Sequence, residues 1–123
     1  MMTKSEKELL LTAICGYLHG LKIEWQDIEN NVHISEIETL NLFLMHVQFR
    51  GEHGELFGVP FETVKPYLRP MSSMTEEEEA EWHDVRHGML FEEIDWLNRK
   101  KFDYRGLIPK GLGLIAPEGM YND

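Results

Sequence analysis

The chain has 123 residues, 42% of them hydrophobic, and its 22 Asp and Glu residues outnumber its 12 Lys and Arg residues to give a net charge of −10. This length predicts one domain with a modest core, and the apolar runs are too short to span a bilayer. The acidic balance argues against direct binding to nucleic acid or to an anionic membrane, because both require cationic side chains. The single cysteine, Cys15, and the lack of a secretory signal favour a soluble protein in a reducing cytoplasm.

The first forty residues predict a helix followed by two strands. Ser5 and Glu8 have the spacing of a capping box, and the apolar periodicity that follows predicts a helix at about residues 5–16. Alternating apolar and polar residues over 21–25 predict a half-buried strand. A weaker alternation over 32–39 predicts a second strand.

Residues 41–50 have the strongest strand pattern of the sequence. One face of this predicted strand is wholly apolar and contains Phe43, Met45, Val47 and Phe49. A Gly-bounded loop at 51–54 and a further strand at 55–59 complete a hairpin. Short strands joined by turns predict a small antiparallel sheet or an SH3-like barrel, which the N-terminal helix would cap.

Two prolines mark the middle of the chain. Pro66 and Pro70 fix the backbone on either side of three residues, so residues 65–75 are predicted as a rigid, extended linker that braces the fold. This brace divides a single domain, 1–123, into residues 1–64, with the helix and strands, and residues 76–123.

The second half of the chain predicts helices and a tail. Thr75 and Glu78 have capping-box spacing, and the apolar periodicity behind them predicts either two helices, at about 75–87 and 89–100, or one bent helix. Residues 102–123 are rich in glycine yet contain many large apolar residues, which predicts an ordered, irregular tail wrapped on the domain. The fold class expected from these elements is α+β.

Four strings in the second half carry a resemblance to a known group of proteins. They are KPYLRPMSSMTEEE at 65–78, DWLN at 95–98, FDYRGLI at 102–108 and APEGMY at 116–121. Through them the chain resembles small uncharacterised proteins of bacteriophages and prophages from gut bacteria. The resemblance implies a mobile-element protein, and it brings no activity and no catalytic residue with it.

A candidate metal site lies in the predicted helix after Thr75. Glu79, His83 and His87 are spaced four residues apart, so they share one helix face. Two histidines at this spacing bind zinc in the H-E-x-x-H helix, although here Asp84 replaces the catalytic glutamate. The alternative is a solvated face of an acidic helix. The sequence indicates no other cofactor.

A second candidate site consists of aromatic and arginine side chains around the resembling strings. Such residues are enriched at protein interfaces, and the set contains Tyr67, Arg69, Trp96, Tyr104 and Arg105. The same side chains would also fill the core of a domain of this size, and we favour that interpretation.

Three functions remain open from the sequence. The first is a non-enzymatic accessory protein of a phage or mobile element that acts through protein–protein interaction, because no catalytic motif is present. The second is an acidic mimic of nucleic acid that inhibits a DNA-binding protein, which requires carboxylates spaced along one face. The third is a metal-dependent hydrolase that uses His83 and His87.

Overall fold

A computed structural model describes residues 2–121 and shows an α+β architecture, which confirms the predicted fold class. The helices are α1 (Lys4–Tyr17), α2 (Glu76–Arg86) and α3 (Leu90–Arg99). The strands are β1 (Lys22–Gln26), β2 (Val32–Glu36), β3 (Thr39–Asn41), β4 (His46–Arg50), β5 (Leu56–Pro60), β6 (Lys65–Leu68) and β7 (Leu114–Ile115). Short 3-10 turns at Phe61–Thr63 and Met71–Ser73 flank β6.

The strands form two sheets, whereas the sequence predicted one antiparallel sheet or barrel. The larger sheet has the order β2-β1-β6-β7 and the smaller has the order β3-β4-β5. Neighbouring strands are antiparallel except β6 and β7, which are parallel. The difference arises because β6 and β7 come from proline- and glycine-rich segments without a clear strand pattern.

Strand β6 lies inside the larger sheet, although its segment was predicted as a linker. Its first half pairs with β1, where Pro66 lies opposite Ile23, and its second half pairs with β7, where Tyr67 lies opposite Leu114. Proline has no N–H to donate to a ladder, and here it occupies the end of the pairing with β1. Tyr67 and Leu68 are both buried.

The segment 41–50 is a hairpin and not the single strand that was predicted. The turn Leu42–Met45 joins β3 to β4. The Asn41 side-chain oxygen accepts a hydrogen bond from the backbone of this turn at 3.1 Å, and Met45 adopts a left-handed φ of 55°. The predicted apolar face is therefore divided, so that Phe43 is 95% exposed while the apolar residues of β4 are buried.

Helix α1 begins with a different capping box from the predicted one. Thr3 Oγ1 accepts a hydrogen bond from the Glu6 amide at 3.1 Å, and the Glu6 carboxylate accepts one from the Thr3 amide at 2.9 Å. Ser5 and Glu8 have the same spacing but lie inside the helix. Cys15 is exposed rather than on the buried face. That face carries Leu10, Ala13, Ile14 and Tyr17, which pack on both sheets.

Helices α2 and α3 are separate, which is one of the two predicted alternatives. The capping box of α2 is confirmed: Thr75 Oγ1 accepts from the Glu78 amide at 3.1 Å, and the Glu78 carboxylate accepts from the Thr75 amide at 3.0 Å. The helices are joined at His87–Met89, and Gly88 interrupts the helical pattern. A second apolar cluster, built on Trp96 and its neighbours, packs α3 against α2.

Helix α3 ends in a Schellman motif with a lysine at its left-handed position. The amide of Phe102 donates to the Leu97 carbonyl at 3.0 Å, and the amide of Lys101 donates to the Asn98 carbonyl at 3.2 Å. Lys101 has a φ of 62°, where glycine is usual. Its side chain is buried, and the ammonium donates to the carbonyls of Asn98 and of His19, just after α1. Lys101 thus links the C-terminal ends of two helices.

The tail is ordered over its described part, 102–121, as predicted, while residues 122–123 lie outside the described residues. The Asp103 carboxylate accepts hydrogen bonds from the amides of Leu107 and Ile108 at 2.8 and 2.9 Å, which fixes the first bend of the tail. Buried apolar side chains then hold the tail on the domain. These are Phe102, Leu107 and Leu112.

Tyr121 fastens the tail between two strands of the larger sheet. Its hydroxyl donates to the Tyr67 carbonyl of β6 at 2.8 Å and accepts from the Lys22 amide of β1 at 2.9 Å. The backbone ladder between β1 and β6 ends at the pair formed by Ile23 and Pro66. Lys22 and Tyr67, the next residue on each strand, are not part of this ladder. The hydroxyl therefore replaces a backbone hydrogen bond at the point where the strands separate.

We expect Tyr121→Phe to lower the free energy of unfolding by about 1–3 kcal/mol, because it leaves a backbone donor and a backbone acceptor without their partner. Hydrogen exchange measured by NMR checks this locally. The Lys22 amide should exchange faster in the variant, while the amides of β4, in the other sheet, should keep their rates. Unchanged exchange at Lys22 would show that the hydroxyl contributes nothing there.

Candidate functional site

A groove of about 1060 Å³ lies between two hairpins. The β1–β2 hairpin of the larger sheet forms one wall, and the β4–β5 hairpin of the smaller sheet forms the other. The link between β2 and β3, which includes Ile37 and Glu38, closes one end. Both β2 and β5 are edge strands, so each wall ends in a backbone edge that no described strand covers.

The floor of the groove is a row of aromatic rings. The Trp25 ring lies 4.5 Å from the His33 ring, nearly parallel to it, and 4.8 Å from the Phe49 ring. The Phe49 ring lies 6.1 Å from that of Phe57, which is 43% exposed. Trp25 Nε1 donates to Ser35 Oγ at 2.9 Å, which fixes the orientation of the indole. The rings are tilted by 24–40° to one another, and Trp25 and Phe57 remain accessible while Phe49 is buried, so the row offers an aromatic surface that is held in place.

Asp27 fixes the turn that closes the β1–β2 hairpin. Its Oδ1 accepts hydrogen bonds from the amides of Glu29 and Asn31, both at 2.9 Å. Its Oδ2 lies 2.8 Å from His33 Nε2. The bond to His33 and those to the turn amides hold the pKa of the Asp27 carboxyl at about 2. Asp27 and His33 thus act as a structural clamp at the groove mouth.

The rim of the groove is acidic. It carries five carboxylates, from Asp27, Glu36, Glu38, Glu52 and Glu55, and one Lys or Arg residue, Arg50. The Arg50 guanidinium is paired with Glu38, with nitrogen-to-oxygen distances of 2.8 and 3.2 Å. This pair lowers the pKa of Glu38. The groove therefore has an apolar floor and a negative edge.

The predicted metal residues are only partly brought together. His83 Nε2 and His87 Nε2 lie 3.3 Å apart on the surface of α2. Within residues 2–121, no group of three or more His, Cys, Asp or Glu side chains is arranged around a common point that could hold a metal ion. Glu79 therefore does not complete a three-residue site with the two histidines.

Arg69, a predicted partner-binding residue, is engaged within the protein. Its guanidinium makes two hydrogen bonds to the Glu78 carboxylate, at 2.6 and 2.7 Å, and lies 4.2 Å from the centre of the Phe102 ring. The same carboxylate caps α2, so one side chain joins the helix start to the chain after β6. The bonds from Arg69 hold the pKa of Glu78 at about 2.

Tyr67 and Trp96, also predicted to contact a partner, are interior residues. The Tyr67 side chain is buried, and its hydroxyl lies 3.3 Å from a Glu24 carboxylate oxygen. Trp96 is 1% exposed, stacks on Phe102 and donates from Nε1 to Glu81 at 2.6 Å. Both side chains therefore pack within the protein.

Tyr104 and Arg105 lie in the seam between α1, α3 and the tail. The Tyr104 hydroxyl donates to the Asn98 side chain at 2.8 Å, and its ring meets the Tyr17 ring edge to face at 5.8 Å. The Arg105 guanidinium lies 4.9 Å from the centre of the Tyr104 ring. These half-buried side chains brace the tail against α1, and an edge of each remains accessible.

Sequence reasoning placed the groove residues in strands but did not identify them as a site. The usable signal is the concentration of aromatic residues on adjacent short strands, together with an Asp at the head of a turn. What the pattern does not show is that β2 and β5 are edges of different sheets, because that depends on long-range pairing.

Comparisons with known proteins assign no family to the chain. Within residues 2–121, no helix has the length and apolarity needed to cross a membrane. No protein-family model, curated protein or solved structure matches the chain.

Proposed function

We propose that the chain is a non-enzymatic interaction module that binds an extended, basic and apolar segment of a partner protein in the groove between its two hairpins. The observation that carries this proposal is the aromatic floor beneath an acidic rim. Large apolar concavities with a few polar groups are the usual form of binding sites. The described residues of the groove contain no nucleophile paired with a base.

The shape of the groove favours an extended segment. β2 and β5 each present a free backbone edge, and an extended peptide binds such an edge by adding a strand to the sheet. Alternate side chains of an added strand point to opposite faces. One set would therefore meet the floor, at Trp25 and Phe57, while the other set would face solvent and the rim.

The charge of the groove favours a basic segment. Arg50 is paired with Glu38, and Asp27 is bonded to His33. The three remaining rim carboxylates, those of Glu36, Glu52 and Glu55, therefore set the sign of the local potential. Lys and Arg on the partner would be attracted to this rim, mainly raising the rate of association. The resemblance to phage and prophage proteins supports a setting in which the partner is a protein of the mobile element or of its host cytoplasm.

Two synthetic peptides test the proposal. The first is a ten-residue peptide that alternates Val or Phe with Lys, and the second has Glu in place of each Lys. We expect the Lys peptide alone to bind in calorimetry, with affinity that falls as salt is added. Phe57→Ala should weaken binding about tenfold, as loss of an aromatic anchor does.

Charge reversal in the groove provides the matched control. Glu52→Lys should weaken binding of the Lys peptide several-fold, whereas Glu8→Lys, which reverses an exposed glutamate on α1, should leave it unchanged. Equal binding of the two peptides, or equal affinity for wild type and Phe57→Ala, would reject the groove as the binding site.

A further inference from the structure

We propose that His83 and His87 form a two-ligand site for a late first-row divalent cation such as Zn²⁺ or Ni²⁺. Both side chains are exposed, His83 in the last turn of α2 and His87 at its C-cap. Their rings are nearly perpendicular, at 84°, with centres 4.6 Å apart. This site is separate from the groove and does not depend on the function proposed for it.

The distance between the two nitrogens is the distance that a bound ion requires. Histidine binds zinc with Zn–N bonds of about 2.0–2.1 Å in tetrahedral geometry, which places two ligand nitrogens about 3.3–3.4 Å apart. His83 Nε2 and His87 Nε2 are 3.3 Å apart. The two nitrogens therefore already have the separation that two ligands of one ion require, and rotation of the rings would direct both Nε2 lone pairs at that ion.

Proton positions follow from the same contact. Without an ion, a hydrogen bond between two neutral imidazoles requires Nε2–H on one ring and a free Nε2 lone pair on the other. Binding requires a lone pair on both Nε2 atoms. The donor ring must then carry its proton on Nδ1, a tautomer change that leaves both imidazoles neutral.

The surroundings favour a cation. The site lies at the C-terminal end of α2, where the helix dipole is negative. The nearest cationic side chain in the sequence, Arg86, lies over the Trp82 ring at 4.6 Å and 3.5 Å from a Glu93 oxygen, so it is held towards α3. Carboxylates on the same helix add negative charge, from Glu76, Glu77, Glu79, Glu81 and Asp84.

The donor set limits the metal and its role. Imidazole suits zinc, nickel and copper, whereas magnesium and calcium prefer oxygen ligands. Catalytic zinc sites use three protein ligands and one water. Two histidines with water in the other positions make a clamp that fastens the last turn of α2, rather than the hydrolase centre that the sequence left open.

Calorimetric titration with NiCl₂ or ZnCl₂, with MgCl₂ as the negative control, tests the site on untagged protein. We expect one equivalent of nickel or zinc to bind and magnesium not to bind. His87→Ala should weaken binding at least about tenfold, since loss of a ligand exceeds the effect of losing an outer-shell partner. His19→Ala, which removes an exposed histidine elsewhere, should leave binding unchanged.

A relocated histidine controls for histidine content. The double variant Asp84→His with His87→Ala keeps six histidines but places the pair on adjacent residues, which do not face each other on a helix. It should bind nickel as weakly as His87→Ala. Wild-type affinity in either variant, or no nickel binding to the wild type at micromolar concentration, would overturn the proposal.

Discussion

Replacing Trp96 with alanine should lower the free energy of unfolding by about 3–5 kcal/mol, the usual range for a buried aromatic residue. The indole is 1% exposed and stacks on Phe102 at 5.7 Å. Its removal would leave a cavity in the cluster that joins α3 to α2, and it would also leave the Glu81 carboxylate without the indole donor. Urea denaturation followed by circular dichroism measures the change.

Phe43→Ala is the matched control for this prediction. Phe43 is also an aromatic side chain, but it is 95% exposed, so its removal should change stability by less than about 0.5 kcal/mol. The comparison separates the two interpretations of the aromatic set. An interface residue at Trp96 would behave like Phe43, and a denaturation midpoint that is the same in Trp96→Ala and wild type would contradict the core assignment.

Replacing Lys101 with methionine should destabilise the protein by about 3 kcal/mol, because it removes charged hydrogen bonds from a buried lysine to carbonyls at two helix ends. The Lys101 ammonium donates to the carbonyls of His19 and Asn98. These acceptors lie where the negative ends of α1 and α3 meet, so a cation there also interacts favourably with both helix dipoles. Methionine keeps most of the buried side-chain volume.

Replacement by methionine tests the contribution of the ammonium group separately from that of backbone strain. Lysine and methionine are both strained at a φ of 62°, so this strain does not differ between the two proteins. Lys110→Met, at an exposed position, controls for the loss of one positive charge. If the two variants unfolded at the same urea concentration, the buried ammonium would have no special role in joining the helices.

Local signals in the sequence predicted the helices well. Thr75 and Glu78 specify the start of α2 because both halves of a capping box are short-range contacts. At the N-terminus the same pattern occurs twice, two residues apart. The structure uses Thr3 and Glu6, and local spacing alone does not distinguish them from Ser5 and Glu8.

Long-range pairing explains most of the differences in the sheets. Residues 41–50 do alternate between two faces in sequence, but the turn Leu42–Met45 interrupts the strand. This turn is stabilised because the Asn41 side chain accepts a hydrogen bond from a turn amide and Met45 adopts a left-handed conformation. Pro66 made β6 difficult to predict as a strand. The sheet accommodates this proline because it lies at the end of the ladder with β1. Neither outcome follows from residues within a few positions in sequence.

The candidate site was the least predictable part of the molecule. Trp25 and Phe57 lie 32 positions apart in the sequence, and their proximity depends on how two separate sheets meet. By contrast, the histidine pair was visible because both residues lie within four positions at the C-terminal end of α2, where His87 is the C-cap. A site formed within one secondary-structure element can be predicted from the spacing of its residues. A site formed between elements can be recognised only when the fold is known.

The position of Tyr121 has a consequence for synthesis of the protein in the cell. Its hydroxyl bridges Lys22 and Tyr67, and β7 pairs with β6 only when residues 114–115 are available. The larger sheet is therefore incomplete until nearly all of the described chain has left the ribosome. Nascent chains shorter than this would expose the unpaired edge of β6 and would be prone to misassociation. Stalled ribosomes carrying chains truncated before Leu114 should accordingly remain sensitive to protease.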